Sequence, residues 1–165
     1  TKLIVMVRGL GSLKGILNRH VEKVKKQANE IKKEVAEVIL RDLVNHSAVD
    51  TGKFTSNWIV SLGESIEESI PPLVPGKWGS TMEANTEAAF SAGQAALQIA
   101  QFGEPIFIVN HALDDLSESD EYILDFLYNG RKYRTRPNEQ QRPFRGILET
   151  SADLGREHLD ALVKG

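Results

Sequence analysis

Val49-Asp50-Thr51-Gly52-Lys53-Phe54-Thr55-Ser56-Asn57-Trp58 is the stretch on which the fold turns. Two readings compete for it. Asp-Thr-Gly is the tripeptide of aspartic proteases, in which two aspartates meet across a dimer or pseudo-dimer and share one proton. Such an aspartate sits at the end of an apolar strand, whereas here Asn45-His46-Ser47-Ala48 close a long helical stretch. Lys53 would set a cation beside the dyad, and no later apolar-apolar-Gly strand follows. The second reading makes Gly52 a point of backbone freedom in a turn, with Asp50 or Thr51 accepting hydrogen bonds from nearby N–H groups. The turn prevails, and a homodimeric protease using Asp50 is the weakest of the functions considered.

Upstream, the apolar positions Val21, Val24, Ala28, Ile31, Val35 and Val38 are spaced 3, 4, 3, 4, 3 and continue through Ile39, Leu40, Leu43 and Val44. That spacing puts an apolar seam on one helix face, opposite Lys23, Lys25, Lys26, Lys32 and Lys33. About 25 residues at 1.5 Å each predict a helix roughly 38 Å long. Before it, Gly9, Gly11 and Gly15 are expected to loosen the chain, and residues 2–8 are β-branched enough for a short strand.

Downstream, Phe54 to Leu62 reads as a strand ended by Gly63. The stretch Pro71-Pro72-Leu73-Val74-Pro75-Gly76-Lys77-Trp78-Gly79 cannot be regular structure. An exposed loop is therefore expected at 64–83, with Leu73, Val74 and Trp78 as a contact arm. Thr81 or Asn85 can cap a helix running to about Phe102, whose alanines 84, 88, 89, 92, 95, 96 and 100 admit a close neighbour. Glu104-Pro105 breaks it, and Ile106-Phe107-Ile108-Val109 is the clearest strand. A closing helix is expected from Ile147 to Val163, with Ile147, Leu148, Leu159, Leu162 and Val163 inward and Gly155 weakening it. The order β-α-β-α-β-α predicts an α+β fold, a small antiparallel or mixed sheet packed against one long helix and a C-terminal helix, in a single domain spanning 1–165.

Composition bounds the function. The chain has 165 residues, 41% hydrophobic and 26% charged, as soluble globular proteins do. It contains no run of apolar residues long enough to span a bilayer, and no membrane partner is expected. With no cysteine there is neither a disulfide framework nor a thiolate metal site, which fits assembly in a reducing cytoplasm. His20, His46, His111 and His158 form no HxxxH or HExxH pair, so no metal is expected, although His111 lies close to Asp114 and Asp115. There is no GxSxG elbow, and Gly9-Leu10-Gly11 lacks the lysine and third glycine of a phosphate loop. Neither a cofactor nor an enzymatic activity is therefore expected.

The net charge of −3 opposes a protein that coats nucleic acid through its overall field. The charge is nonetheless segregated within the loop region 111–146. Asp114, Asp115, Glu118, Asp120, Glu121 and Asp125 stand without a basic residue among them. Arg131, Lys132, Arg134, Arg136, Arg142 and Arg145 face only Glu139. Both blocks read as solvated loops, or as acidic and basic patches that meet between neighbouring copies and fix the register of a head-to-tail ring. The basic block also permits a path for DNA, with Tyr133 as a stacking residue, so a small DNA-binding module stays as a reading of another class.

Taken in order, the chain has a long helix leading into Asp50-Thr51-Gly52, Phe54 and Trp58, then a strand. An alanine-rich helix follows, then a strand ending in Asn110, an aromatic element ending in Gly130, and Phe144 before a final helix. This order resembles the neck and tail-completion family of tailed phages, the minor tail protein Z-like group, over roughly residues 2–163. Tyr128-Asn129-Gly130 stands where that family has Glu-x-Gly. The resemblance implies a non-catalytic virion protein at the head–tail junction, joining or finishing the tail. Its implied partners are copies of itself, in a ring, and other neck or tail proteins, with transient proximity to packaged DNA. A tail terminator capping the tail tube is the neighbouring role.

Overall fold

The computed structural model describes residues 10–47, 51–114 and 144–164. Helix α1, Leu10–His46, is 37 residues long and forms the frame, at about 56 Å by its rise per residue. It begins well before the expected Val21 and runs straight through Gly11 and Gly15. A helical glycine costs about 1 kcal/mol relative to alanine, and the strong helix formers Leu10, Leu13, Lys14, Ile16 and Leu17 around these two offset it. The strand expected at 2–8 lies outside the described residues.

After Gly52 the backbone makes one helical turn, α2 (Lys53–Ser56), before strand β1 (Trp58–Leu62). This corrects the expected strand start at Phe54. Asn57 N–H reaches back to the Lys53 and Phe54 carbonyls at 3.1 and 3.3 Å, so the segment coils before it extends. Helix α3 (Met82–Ile99) leads to strand β2 (Ile106–Asn110), and α4 (Phe144–Lys164) closes the described chain. β1 and β2 pair antiparallel, with Trp58 opposite Asn110 and Leu62 opposite Ile106. The fold is small α+β, a two-stranded antiparallel sheet with the long helix and the C-terminal helix.

The core lies between α1, α3 and β1, where Ala36, Leu40, Leu43, Val44, Phe54, Trp58, Val60, Ala89 and Leu97 are buried together. Phe54 and Trp58 meet edge to face, with centroids 6.0 Å apart. Trp58 Nε1–H donates to Ser47 Oγ at 2.5 Å, and Ser47 in turn donates to the Leu43 carbonyl at 2.6 Å. One indole thus ties β1 to the end of α1 and leaves no buried donor empty.

α3 runs antiparallel to α1 and stops at Ile99, three residues short of Phe102. The stop is held by α1. Lys33 Nζ donates to the Gln98 carbonyl, Asn29 Nδ2 to that of Ala100, and Lys32 Nζ to those of Gln101 and Glu104. Carbonyls at a helix end lack intrahelical donors and carry partial negative charge, which two ammonium groups answer directly. Among the alanines expected to let a neighbour approach, Ala89 and Ala100 are buried, whereas Ala84, Ala92 and Ala95 face outward. The closest approach comes at Gly93.

α4 packs antiparallel on the other side of α1 through Ser151 and Gly155, not through the expected row of leucines. Ser151 Oγ donates to Asp42 Oδ2 at 2.7 Å, and His158 Nε2 lies 3.0 Å from Glu34 Oε1. Leu148, Leu159 and Val163 are substantially exposed, which corrects their expected inward placement. The reason is Gly155. A Cβ there would stand 2.6 Å from Ile39 Cδ1, so the helices touch where a side chain is missing and the leucines pass to either side. Gly155→Leu is expected to part α1 from α4 and cost about 2 kcal/mol, measured by chemical denaturation. An unchanged midpoint would show that α4 is not seated on this glycine.

Candidate functional site

The candidate site is an arm, residues 64–81, and the buried polar clamp that holds it. Thr51 Oγ1 accepts from Lys53 N–H at 3.3 Å, and Ser56 N–H donates to the Gly52 carbonyl at 3.0 Å. Gly52 is left-handed, with φ +81°, and a Cβ on it would lie 2.2 Å from Asn85 Nδ2. Glycine is needed here twice over, for the positive φ and for the room. Thr51 and Gly52 thus lie in a turn, with Thr51 as an acceptor. Asp50 lies outside the described residues.

Asn85, fully buried in the first turns of α3, is the hub. Its Oδ1 accepts from Ser56 Oγ–H at 2.8 Å and from Val74 N–H at 2.9 Å. Its Nδ2 donates to the Val74 carbonyl at 2.8 Å and to the Thr81 carbonyl and Oγ1 at 3.0 Å each. It is thus not a helix cap. Thr81 is the N-cap residue but makes no side-chain cap bond. Ser56 Oγ also accepts from Leu73 N–H at 3.0 Å. Asn57 works as a second clamp. Its Oδ1 accepts from Ile70 N–H, and its Nδ2 donates to the Ile70 carbonyl, each at 2.8 Å. Proline-rich backbone that cannot join a ladder therefore finds partners in side chains at Ile70, Leu73 and Val74.

This clamp fixes the shape of the arm, and the arm presents Trp78. Trp78 is 68% exposed and has a positive φ of 60°. Only surrounding structure holds a bulky residue in that region. Ile66 and Leu73 are exposed on the same arm, as are Glu67 and Glu68. The loop expected at 64–83 is present, with Trp78 turned outward instead of tucked onto the domain.

A second unusual surface lies at the other end of α1. Leu13, Ile16, Leu17, Val21 and Val24 are all exposed. They continue the helix face that α4 covers at Glu34, Val35 and Ile39, past the point, about level with Ala28, that α4 reaches. Ile99 and Phe102 are exposed at the same end, where Asn29 holds Ala100.

The residues that carry the resemblance fall as follows. Phe54 and Trp58 are core, and Asn110 Nδ2 donates to the Phe54 carbonyl at 2.8 Å while Asn110 Oδ1 accepts from Ala112 N–H at 3.1 Å. Phe144 begins α4 instead of preceding it. Gly130 lies outside the described residues. So do Asp115, Glu118, Asp120, Glu121, Arg131, Lys132, Arg134, Arg136 and Arg142, all from the segment between Asp114 and Phe144. Arg145 falls on α4. Asp114 is exposed, 2.5 Å from His111 Nδ1. Among the described residues no three His, Asp or Glu side chains converge as a metal would need, and no helix is long and apolar enough to cross a membrane. Ser56, Asn57 and Asn85 were not read as a clamp. The available signal was three small polar residues, two of them wedged between Phe54 and Trp58, near a proline-rich segment that needed partners.

The geometry defines a class, a small α+β chain with one projecting amphipathic helix and one clamped aromatic arm. Compared with known proteins, the chain matches no family model, no curated protein and no solved structure.

Proposed function

We propose that this chain is a non-catalytic structural subunit of a tailed-phage particle, acting at the head–tail junction as a neck or tail-completion protein. The observation that carries the reading is a pair of adhesive surfaces at opposite ends of one rigid frame. Exposed aliphatic side chains run from Leu13 to Val24 at one end of α1. Leu73 and Trp78 stand exposed on the arm, which Ser56 and Asn85 clamp near the other end of that helix. Clustered exposed apolar surface marks places where another protein docks. Two different surfaces on one subunit suit head-to-tail association, the contact that closes into rings.

The resemblance of residues 2–163 to the neck and tail-completion family supplies the setting. It is supported by the contact of Phe54 with Asn110, which joins the two halves of the motif. A tail-terminator subunit would use the same two-ended surface and is the neighbouring reading.

Particles assembled without this chain are expected to accumulate as separate heads and tails, or as heads with unfinished tails, in electron micrographs. Adding the purified chain is expected to restore joining, and gold-labelled antibody to mark the junction. Label elsewhere on the particle, or normal joining in its absence, would overturn the reading. Tight, steeply salt-dependent binding of the purified chain to duplex DNA would favour the nucleic-acid module instead.

A further inference from the structure

We propose that the free half of α1 in one copy docks on the arm of the next copy, so that the apolar stripe Leu13–Val24 covers Ile66, Leu73 and Trp78. The contact rests on the assembly reading above and names its partner, a second copy of this chain.

Charge selects the occupant. From Leu10 to Ala28 the helix carries Lys14, Arg19, Lys23, Lys25 and Lys26 against Glu22 alone, a net of +4 in a chain whose total is −3. At about 100° per residue, Lys14 and Lys25 border the apolar stripe on one side and Lys23 on the other. Two such helices laid together would repel. The arm has the opposite sign. On the arm Glu64, Glu67 and Glu68 are exposed against one cation, Lys77, a net of −2, and the exposed Glu83 and Glu87 follow in the first turns of α3. Each surface thus joins exposed apolar side chains to an excess of the charge the other lacks, as complementary interfaces do.

Geometry makes the contact intermolecular. The arm is clamped at Asn57 and Asn85, beside Ser47 at the C-terminal end of α1, through Trp58. Val24 lies 23 residues back along the same straight helix, about 35 Å away. A chain cannot bring its own stripe to its own arm, but the next chain can. Because stripe meets arm and not stripe, the contact is heterologous and repeats from copy to copy. The clamp now has a purpose beyond the fold, since an arm held in one shape pays little entropy on docking.

The test is a charge swap read by sedimentation of the full chain. One variant reverses the helix rim, Lys14→Glu with Lys23→Glu. The other reverses the arm, Glu67→Lys with Glu68→Lys. Each alone is expected to self-associate about tenfold more weakly than wild type at physiological salt. Mixed in equal amounts they are expected to regain assembly, because every contact in an alternating array is again between opposite signs. All four positions are exposed, so circular dichroism is expected to show an unchanged fold; Leu17→Gln with Val24→Gln probes the same contact without altering charge and is expected to weaken assembly equally.

Assembly of each charge variant at wild-type strength, or no recovery on mixing, would overturn the docking and leave the junction reading in place. A wild-type chain that stays monomeric overturns it too, while restored joining of heads to tails would keep the junction reading. Binding of the wild-type helix to phosphatidylglycerol vesicles or to duplex DNA, lost in the Lys14→Glu, Lys23→Glu variant without any change in self-association, would assign the stripe to a lipid surface or to nucleic acid and overturn the docking.

Discussion

Asn85→Ala is expected to destabilise the chain by about 3 kcal/mol, with the arm as the first part to loosen. The side chain is fully buried and joins the backbone of Val74 and Thr81 and the hydroxyl of Ser56 through both of its polar atoms. Truncation strands Ser56 Oγ–H and both the N–H and the carbonyl of Val74. Each stranded buried group costs about 1–3 kcal/mol, less where the exposed edge of the arm lets water reach it. A small cavity adds to the loss. Denaturant unfolding would give the total, and limited proteolysis within residues 64–81 would show where it falls. A loss below about 1 kcal/mol with the arm still protected would mean that Asn57 and Ser56 suffice to hold it. Asn85→Leu fills the volume but restores no partner, so it is expected to stay close to Asn85→Ala. That outcome would locate the effect in hydrogen bonding and not in packing.

The clamp also marks the border between what the sequence disclosed and what it hid. Period is legible. The 3, 4, 3, 4 spacing of Val21 to Val38 announces α1, and the run Ile106 to Val109 announces β2, because apolar period reports the kind of element, even though Val21 and Val24 stay exposed. The turn at Gly52 was legible too, from the tripeptide and its neighbours. Ends were less so. Gly11 and Gly15 are expected to loosen the chain, yet a glycine's local penalty is small beside the helix formers around it. The start of β1 is hidden because Phe54 belongs by composition to the β-favouring run of Trp58, Ile59, Val60 and Leu62, while the Gly52 and Lys53 carbonyls draw the Ser56 and Asn57 N–H groups into a turn first. Side-chain partnerships over long separations were hidden altogether. Nothing local joins Asn85 to Ser56 or Lys32 to Gln101, since those pairs exist only once α3 lies against α1. The inward face of α4 was misjudged for a related reason. Helix contact was credited to leucines, when the nearest approach belongs to a residue with no side chain.

The same rule, that absent atoms set the spacing, leads to the second strong prediction, at Gly93 and Leu40. Leu40 is fully buried, and its Cδ2 occupies the place a Cβ on Gly93 would need, only 2.2 Å away, with Val60 Cγ2 at 3.0 Å. Leu40→Ala is expected to cost about 3–4 kcal/mol, the loss of a buried side chain plus the cavity it leaves between α1, α3 and β1. Gly93→Ala forces the Leu40 methyl group aside in a core with no room, at about 1–3 kcal/mol, against a gain of about 1 kcal/mol in helix propensity. The two changes are neighbours and therefore not additive. In the double variant the new methyl group moves into space that Leu40 has vacated, and the helix gain is kept. Leu40→Ala with Gly93→Ala is accordingly expected to be more stable than Leu40→Ala alone, although Gly93→Ala by itself destabilises. Equilibrium unfolding of the four chains in the cycle would measure a coupling of about 1–2 kcal/mol. Simple additivity would mean that α1 and α3 are not in contact at this pair, and the frame that holds stripe and arm apart would need another origin.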